Sequence, residues 1–462
     1  MEFINLNELN VERIWADAVK LMDRVGFSVP NPATIKKLQG KLPLKNGRVC
    51  VPPQVAQHYA DEVRTRFGSK PEELVVKPVD KLSLFNSYLN THWFDPADGQ
   101  IKLHSTADVI RHTKLVLALA EEGVVAPNTA GVPQDVPPEM RFIMAHYLRC
   151  VYLRRPGPFG LIHSEAMMRY FIEMDAVMGF RPAVGTEIIS PLQFAGDSVD
   201  LALEYHDKGV QVSCVDPIPI MGVTAPSDWH MAWAQTLAEN IGAYTIFREC
   251  GVEKMGPPSI RLFTPNWAAS TVSFSGPQHV LALMTRRKVR EFFNMPTPWG
   301  ELLLVTSKAP DAQAAIEKTA GCILARVFGL WGVEGAGGLW MDEIFSPQQL
   351  IIDIEAKHFA EGVRANVAPR EGDVVAVVEE GLRSGGFLQA DMTLENYRDF
   401  VWNAAVSDQR PRGSWTGDHQ TLLKKAAAIA ADKPSQYTYE LTDHRREGLD
   451  RIIAKARKEF GA

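Results

Sequence analysis

The segment of the chain with the most distinctive chemistry is TSKAPDAQAAIEK, which runs from Thr306 to Lys318. It follows an apolar run at residues 301–305, which predicts a buried strand, and it leads into an alanine-rich helix. Folds of the α/β class place chemistry at such turns, because strand ends and free helix N–H groups converge there. Asp311 suits the first helical turn, where a carboxylate faces the positive end of the helix dipole. An ordinary capped helix is the alternative explanation.

Tryptophan is the second residue type that suggests a binding site. Four tryptophans lie at or near predicted strand-end loops, namely Trp267, Trp299, Trp331 and Trp340. Aromatic faces attract quaternary ammonium groups, and the gain is larger when the cation is desolvated. These residues predict an aromatic cage that includes at least one of the four. Packing in the core or under loops is the alternative role.

Signatures of nucleophilic and metal catalysis are weak in this sequence. It contains no Gly-x-Ser-x-Gly elbow, so acyl transfer has little support. A catalytic zinc site needs three N, S or O ligands and an open position. His163, Cys214, Asp216 and Glu334 could supply them only from separate loops. We therefore predict no bound metal.

A glycine-rich run at residues 335–338 follows an apolar segment, where phosphate-binding barrels place such a loop. Glu334 precedes the run, Asp342 and Glu343 follow it, and no Lys or Arg lies nearby. These carboxylates would repel an anion. The loop therefore predicts close backbone approach to a neutral or cationic molecule.

The elements that must position these residues follow a regular alternation from residue 116 to residue 390. Strands are predicted near residues 124–126, 159–162, 187–190, 210–215, 260–263, 302–305, 330–333 and 387–388, with helices between them. Eight strands with intervening helices fit a (β/α)8 TIM barrel, for which roughly 250 residues is typical. An open doubly wound sheet is the alternative, although no Gly-x-Gly-x-x-Gly fingerprint follows an early strand.

In a barrel, the residues just past the strands line the active site. The predicted lining comprises Asn128, His163, Glu165, Ser190, Asp216, Asn266, Trp267, Thr306, Lys308, Glu334 and the glycine loop.

Two further segments flank the predicted barrel. Residues 1–115 form an N-terminal α+β segment, in which one helix ends at Gly26, another spans residues 53–67, and residues 95–99 form a hairpin turn. Residues 391–462 form a helical C-terminal extension that packs on the barrel or on a neighbouring subunit. The predicted fold class is α/β.

Composition excludes several functional classes. The chain has 462 residues, 46% of them hydrophobic, and a net charge of -6, whereas nucleic-acid binding needs a basic face. The basic cluster at residues 286–288 is predicted to lie on a solvated helix face. No signal peptide or membrane span is visible. The five cysteines lie far apart, with no disulfide or thiolate-cage spacing, so the predicted location is cytoplasmic.

The block from Thr306 to Lys318 resembles a segment of the trimethylamine methyltransferase family. Other matches to that family follow in the same order along the chain, namely GFSV at residues 26–29, VCVPP at 49–53, SPL at 190–192, MGVTAP at 221–226, GAGG at 335–338, LIIDIE at 350–355 and DQRPRGSW at 408–415. The resemblance covers nearly the whole chain. It implies a (β/α)8 barrel that moves a methyl group from a methylated amine to the cobalt of a partner corrinoid protein.

Departures from the family pattern concern the motif region, which comprises Leu304, Thr306, Lys308, Asp311 and Gln313. Archaeal trimethylamine enzymes carry pyrrolysine just before the segment, and alignment on Lys308 places Leu304 there. The chain therefore resembles the non-pyrrolysine branch, whose substrates are quaternary amines such as glycine betaine, proline betaine and carnitine. Thr306 replaces an acidic residue of the pattern, so we carry over no role for it.

The chemistry implied by this resemblance asks little of the protein's own side chains. A quaternary ammonium loses a methyl to leave a neutral tertiary amine, so no acid is needed, and Co(I) supplies the nucleophile. The protein must position the methyl in a dry site. For a betaine, the substrate carboxylate needs hydrogen-bond donors, and His163, Asn266 or Arg261 are the candidates. The corrinoid is expected on a partner, because the chain has no Asp-x-His-x-x-Gly motif.

Two alternative functions remain open at this point. One is a non-catalytic binding protein for methylated amines. The other is a zinc-dependent corrinoid methyltransferase that acts on another methyl donor. A homo-oligomer is also possible, because barrels with terminal extensions often associate.

Overall fold

The structure is a computed structural model that describes residues 5–75, 77–156, 164–194, 198–297, 299–363, 371–397, 402, 404–415 and 417–461. Within these residues the chain has a mixed α/β fold with long helices and short strands. The predicted strand at residues 159–162 and the candidate site residue His163 lie outside the described residues.

The helices are α1 Val11–Arg24, α2 Pro32–Leu38, α3 Pro53–Phe67, α4 Pro71–Leu74, α5 Thr106–Glu121, α6 Arg141–Tyr152, α7 Glu165–Met178, α8 Ser198–Asp207, α9 Trp229–Glu249, α10 Pro277–Glu291, α11 Ala312–Val327, α12 Pro347–Gly362, α13 Val374–Ser384, α14 Asp391–Asn396, α15 Thr421–Asp432 and α16 Asp443–Phe460. The strands are β1 Leu44–Lys45, β2 Arg48–Val49, β3 Ser83–Phe85, β4 His92–Asp95, β5 Gln100–Leu103, β6 Ala183–Ile189, β7 Gln193–Phe194, β8 Gln211–Pro217, β9 Thr264–Asn266, β10 Thr271–Ser273, β11 Trp299–Gly300, β12 Gly332–Glu334, β13 Gly338–Leu339 and β14 Ile344–Phe345.

Parallel pairing organises the centre of the molecule. β12 lies between β11 and β3 and runs parallel to both, and Leu84 of β3 forms a parallel bridge with Val125. A second group pairs β6 with β8 in parallel, and a parallel bridge from Val212 continues it to Met255. Among the described residues these strands form separate groups, and no closed ring of strands is present.

Local sequence signals located several elements correctly. The helix at residues 53–67 is confirmed as α3, and the hairpin is confirmed as β4 and β5, in which Asp95 pairs with Gln100. The first helix ends at Arg24, and Gly26 has a φ of 65°. A Cβ on Gly26 would lie 2.6 Å from the Val49 carbonyl oxygen, so this turn requires glycine.

Two predicted strands are wrong, and the strands predicted near residues 124–126 and 260–263 are reduced to single bridges at Val125 and Phe263. Residues 302–305 are buried but form a turn, and the strand of this region is β11, which ends at Gly300. A buried apolar run has the composition of a central strand whether or not its backbone pairs with a neighbouring strand, so composition alone cannot distinguish the two. Residues 387–388 form no strand either, and Leu388 is 85% exposed. It follows the consecutive Gly385 and Gly386, which both have positive φ and favour a turn.

The core is divided among several helix packings. α9 is buried along almost its whole length and packs on α1 and α3. α16 packs on α6 and α7, while α15 packs on α12. No helix in the described ranges is long and apolar enough to cross a membrane. The division at residues 115 and 390 remains a prediction.

Candidate functional site

Carboxylates lie at the ends of neighbouring parallel strands. Asp216 is the penultimate residue of β8, Glu301 follows β11 directly, and Glu334 is the last residue of β12. Because Gly300 pairs with Val333, Glu301 and Glu334 occupy adjacent positions at the same edge. The carboxyl ends of parallel strands are where α/β folds assemble their sites.

Two arginines connect these carboxylates. The Arg261 guanidinium donates to Asp216 and, over 3.3 Å, to Glu301. Arg286 donates to both oxygens of Glu301, at 3.1 and 3.2 Å, and to the Trp299 carbonyl at 2.7 Å. We call Asp216, Arg261, Arg286, Glu301 and Glu334 the strand-end cluster.

Paired charge sets the ionisation of this cluster. Burial alone would raise the pKa of Glu301, but Arg286 and Arg261 outweigh it and hold the pKa at about 2. Burial likewise opposes the charge of Arg261, and Asp216 and Glu301 raise its pKa above the usual value. Both groups therefore stay charged at all physiological pH values.

Glu334 behaves differently because no arginine donates to it among the described residues. Burial raises its pKa to about 7, with a further contribution from the negative charge of Glu301, against the opposing effect of Arg261. Burial also raises the pKa of the nearby Asp342. At neutral pH Glu334 is therefore close to half protonated. A cation bound beside it would favour the ionised form.

Aromatic rings surround the arginines of the cluster. The Trp299 ring centroid lies 5.9 Å from Arg261 Cζ and 5.7 Å from Arg286 Cζ. The Phe263 ring lies 5.5 Å from Arg261 Cζ. His279 is buried within 4.0 Å of Glu301, and burial lowers its pKa to about 4, so it is neutral. The cluster thus has an apolar, low-dielectric wall on at least one side.

Some buried polar atoms of the site have no hydrogen-bond partner within the described ranges. These atoms are Arg261 Nε, Asp216 Oδ1 and Thr264 Oγ1. Since most buried polar groups in native proteins are paired, such atoms need a ligand or water. They lie at or next to the strand ends, where a small polar molecule could bind.

The block from Thr306 to Lys318 has a mainly structural role. Asp311 caps α11 by accepting from the Ala314 amide at 3.0 Å. The Thr306 amide donates to Glu317 over 3.1 Å, and Gln313 donates to Thr306 Oγ1 at 3.0 Å and to Glu317 at 2.7 Å. These bonds fasten the turn after residues 301–305 to the helix that follows it.

Lys318 holds the glycine loop. Its ammonium donates to Asp353 at 2.9 Å and to the Gly335 carbonyl at 2.8 Å, and Asp353 accepts from the Gly337 amide at 2.7 Å. Gly335 has a φ of 109°, and a Cβ there would lie 2.3 Å from the carbonyl carbon of Leu303. The loop therefore sits directly on the backbone of residues 301–305, one residue after Glu334.

The four candidate tryptophans are placed in different surroundings. The Trp299 ring lies beside the two arginines of the strand-end cluster. Lys308 Nζ lies 3.8 Å from the Trp340 ring centroid, so the chain's own cation occupies that face. Trp331 precedes β12 at its amino end and contacts Phe85, with centroids 5.7 Å apart. Trp267 is 67% exposed. No ring contact joins any two of them in the described part of the chain.

The remaining candidates are also dispersed. Asn266 Oδ1 accepts from the Ala269 amide at 3.2 Å within the turn after β9. Asn266 and Thr306 line one groove of about 560 Å³, which Ile316 and Glu317 border on the other side. Leu304 is buried. The structure therefore brings Arg261, Trp299 and Glu334 together, and it places Asn266 and Thr306 beside a separate groove.

The cluster also contains residues that the sequence pattern does not single out. Glu301 opens an apolar run, and Arg286 belongs to the basic cluster predicted on a solvated helix face. That prediction is wrong for Arg286, which is only 5% exposed because it turns inward to pair with Glu301. The position of Glu301 at the start of an apolar run was the one feature of the sequence that could have indicated a buried, paired carboxylate.

Comparison with known proteins gives consistent matches. A family model described as trimethylamine methyltransferase (MTTB) matches residues 2–461. The trimethylamine methyltransferase MttB2 of Methanosarcina mazei is 26% identical over 188 residues, which cover 40% of this chain and 36% of the relative. The trimethylamine methyltransferase MttB of Desulfitobacterium hafniense is 21% identical over 408 residues, which cover 85% of this chain and 81% of the relative.

Two solved structures of MtmB also align with most of the chain. The hydroxylamine complex of MtmB is 12% identical and covers 98% of this chain and 94% of its own, with a TM-score of 0.43. The monomethylamine methyltransferase MtmB of Methanosarcina barkeri is 10% identical with the same coverage and a TM-score of 0.39. Neither score carries a fold assignment.

Proposed function

The chain belongs to the trimethylamine methyltransferase family and is a methyltransferase; we propose that it moves a methyl group from glycine betaine, or a related quaternary amine, to a corrinoid held by a partner protein. The observation that carries this proposal is the family match over residues 2–461. The strand-end cluster supports it, because the titratable carboxyl of Glu334 lies near the Trp299 ring and near Arg261, which can donate a hydrogen bond to a substrate carboxylate.

The choice of a quaternary amine rests on Leu304 and on leaving-group chemistry. Leu304 stands approximately where the archaeal enzymes of the resemblance carry pyrrolysine, and its buried aliphatic side chain offers no reactive group. A quaternary nitrogen has no lone pair and leaves as a neutral tertiary amine. When the methyl carbon departs, the bonding electron pair stays on nitrogen, so no side chain has to donate a proton.

Binding of the cation is assigned to Glu334 and Trp299. Glu334 ionises readily when a positive charge approaches, because its pKa of about 7 is raised by burial and by Glu301. Trp299 adds a polarisable face. Since tight binding of the cation also stabilises the ground state, these residues supply affinity and orientation more than rate.

Binding of a betaine carboxylate is assigned to Arg261. Two of its nitrogens bind Asp216 and Glu301, and its Nε–H has no partner in the described part of the chain. That N–H is the donor available to a substrate carboxylate. Asn266, which already accepts within its own turn, and His163, which lies outside the described residues, stay predictions for this role.

The corrinoid, when the partner brings it to the site, supplies the nucleophile for the methyl carbon. This chain's own residues then have to hold the methyl group in line and keep water out. The glycine loop, fixed by Lys318 and Asp353, sets the position of Glu334 during this step.

We also propose that the parallel strands belong to one eight-stranded barrel. In a closed barrel the last strand lies beside the first, and β12 pairs in parallel with β3. In this assignment β3 is the first strand of the barrel and β12 is the last. The sequence pattern had instead predicted the last strand at residues 387–388.

A cytoplasmic location is part of the same proposal. Corrinoid chemistry of this kind needs a reducing compartment, and the described cysteines Cys50, Cys150, Cys250 and Cys322 are all free thiols.

The test is an anaerobic spectrum. Purified protein is mixed with cob(I)alamin and, in separate cuvettes, with glycine betaine, proline betaine, carnitine and trimethylamine. We expect methylcobalamin with a quaternary amine and none with trimethylamine. Conversion of trimethylamine alone would contradict the proposed substrate class.

Two controls separate binding from transfer. Glu334→Gln should raise KM for the quaternary amine, whereas Glu343→Gln, an exposed acid in the loop that follows, should leave KM unchanged. If calorimetry detects a betaine bound to the wild type but its cognate corrinoid protein receives no methyl group, the protein is a binding protein and the proposal fails.

A further inference from the structure

A group of metal-ligating side chains lies between α6 and α7, outside the strand-end cluster. His146 and Cys150 are four residues apart on α6, so they share one helix face. Asp175 faces them from α7. His146 and Cys150 are fully buried, and Asp175 is 2% exposed. Three ligand types thus converge in the interior.

The ligand atoms lie close enough together for one metal ion to reach all three, and His146 Nε2 and Asp175 Oδ1 would move apart by about 0.5 Å to reach tetrahedral zinc spacing. His146 Nε2 lies 2.8 Å from Asp175 Oδ1 and 3.7 Å from Cys150 Sγ, and all three ligand atoms lie within 4.8 Å of one another. Zinc bonds of about 2.0–2.3 Å in a tetrahedron separate ligand atoms by roughly 3.3–3.7 Å. We propose that His146, Cys150 and Asp175 bind one zinc ion.

Donor chemistry selects the metal. Imidazole nitrogen and thiolate sulfur together favour zinc over magnesium or calcium, which prefer oxygen ligands. A thiolate and a carboxylate offset the charge of a divalent ion, so the loaded site carries no net charge. A water molecule is assigned to the fourth position, since the described residues supply three ligands.

Zinc binding would release one proton. Burial raises the pKa of the Cys150 thiol far above its usual value, with a further contribution from the charge of Asp175. The metal-free chain therefore keeps the S–H bond. When zinc binds, the S–H proton leaves to solvent, a zinc–sulfur bond forms, and no electron is transferred.

The surroundings indicate a structural role for this ion. The Phe171 ring lies 4.4 Å from the His146 ring, and the site belongs to a core cluster that includes Leu449 and Ile453 of α16. The zinc ion would join α6 to α7 and so support the packing of α16. It would not lie open to substrate. The inference is thus independent of the proposed methyl transfer.

The competing explanation is a plain core contact. In it, the 2.8 Å contact between His146 and Asp175 is a hydrogen bond, and Cys150 is a small hydrophobic side chain. The two explanations differ in whether the purified chain takes up metal at Cys150.

The experiment measures metal content in the full chain. Protein is expressed with added zinc, purified, and analysed for metal; a second sample is stripped with a chelator and reloaded with Co(II). Cys150→Ser is compared with Cys250→Ser, a buried cysteine at the end of α9 that belongs to no such ligand group among the described residues. Circular dichroism verifies that each variant is folded.

We expect one equivalent of zinc in the wild type and in Cys250→Ser, and loss of that zinc in Cys150→Ser. The Co(II) form of the wild type should show a thiolate-to-cobalt charge-transfer band that Cys150→Ser lacks. Zinc should raise the Tm of stripped wild type and leave that of Cys150→Ser unchanged.

Three outcomes would overturn the proposal. One is a stripped wild type that takes up neither zinc nor Co(II), and another is zinc that remains bound in Cys150→Ser. The third is a Co(II) spectrum without thiolate character in the wild type, a measurement that needs no variant to fold. Methyl transfer that persists in zinc-free Cys150→Ser would support the structural role over zinc catalysis.

Discussion

Two polar networks of this molecule, one of them partly exposed, differ in how completely their atoms are paired. In the motif network, defined by Thr306, Gln313, Glu317, Lys318 and Asp353, every carboxylate oxygen accepts a hydrogen bond. In the strand-end cluster, Asp216 Oδ1 and Arg261 Nε have no partner among the described residues. The first network holds the backbone, and the second has capacity left for a ligand.

This comparison shows that the segment most easily recognised in a sequence need not contain the groups available for chemistry. The motif network draws most of its residues from one contiguous block, so it is easily recognised. The strand-end cluster draws on residues from 216 to 334. A pattern that is distinctive in sequence thus fixes the loop, while the groups available for chemistry come from strands that meet only in the folded chain.

The largest expected effect is on stability in the motif network. Lys318→Met leaves Asp353 buried without its cation, and breaking one partner of a buried pair costs about 3–5 kcal/mol. Urea unfolding should report that loss. Lys208→Met, which removes the exposed pair with Glu204, is the matched control and should leave the midpoint unchanged. Equal effects of the two variants would mean that the buried pair of Lys318 and Asp353 contributes no more stability than an exposed pair.

A smaller effect, on binding, is expected at the strand-end cluster. Glu334→Gln removes the counter-ion proposed for the substrate cation, which costs about 2 kcal/mol, or roughly thirtyfold in kcat/KM. The change should appear mainly in KM for the quaternary amine. Steady-state methyl transfer with the cognate corrinoid protein measures it. A variant with wild-type KM would place the cation elsewhere.

The pH dependence of stability should separate Glu334 from the paired carboxylates. Its folded pKa of about 7 lies above the ordinary value of 4.5, so the stability from its bound proton is complete below pH 4.5 and is lost as pH rises to about 7. Between pH 5 and pH 8 the wild type should therefore lose about 2 kcal/mol relative to Glu334→Gln, after allowance for partial exposure. Parallel stability curves for the two proteins would show that Glu334 ionises normally.

Helices were predictable here because their signals are local. Asp311 caps α11 and Pro53 begins α3, and both boundaries follow from residues within one turn. β3 and β11 are only three and two residues long, and their strand character comes from parallel partners far along the chain. Periodicity over so few residues cannot report a partner.

The site shows the same limit. Arg261, Trp299 and Glu334 could be selected because each lies at or next to a predicted strand. Arg286 and Glu301 were not selected, because the sequence does not show which buried charges pair with each other. Distance along the chain also hides which end of a strand a residue occupies, and Trp331 lies at the amino end of β12.

A modest effect is expected from a hydrogen bond at the edge of the motif network. Gln313→Ala removes two donors to Thr306 and Glu317 on an exposed side, which should lower the free energy of unfolding by about 1 kcal/mol. Chemical denaturation measures this change. A loss of stability as large as that of Lys318→Met would mean that the contribution of a hydrogen bond in this network does not depend on its burial.

The smallest effect is expected at Trp331. Trp331→Phe keeps an aromatic contact with Phe85 at the amino end of β12, so KM for the amine should not change. Trp299→Phe is the matched variant beside the cluster and should raise KM. If Trp331→Phe raises KM instead, the cation binds at the opposite end of the strands.

The contact between Gly335 and the Leu303 backbone has a consequence for how this protein can evolve. A methyl group at position 335 would collide with main-chain atoms, which no compensating side-chain replacement can remove. Residues other than glycine are therefore not tolerated at position 335 while the main chain keeps this path. Positions 216, 261, 286 and 301 form a charge-balanced set and can change in concert. A change at Gly335 would need a shift of the main chain, whereas a charge lost among those four side chains can be restored by a second substitution within the set.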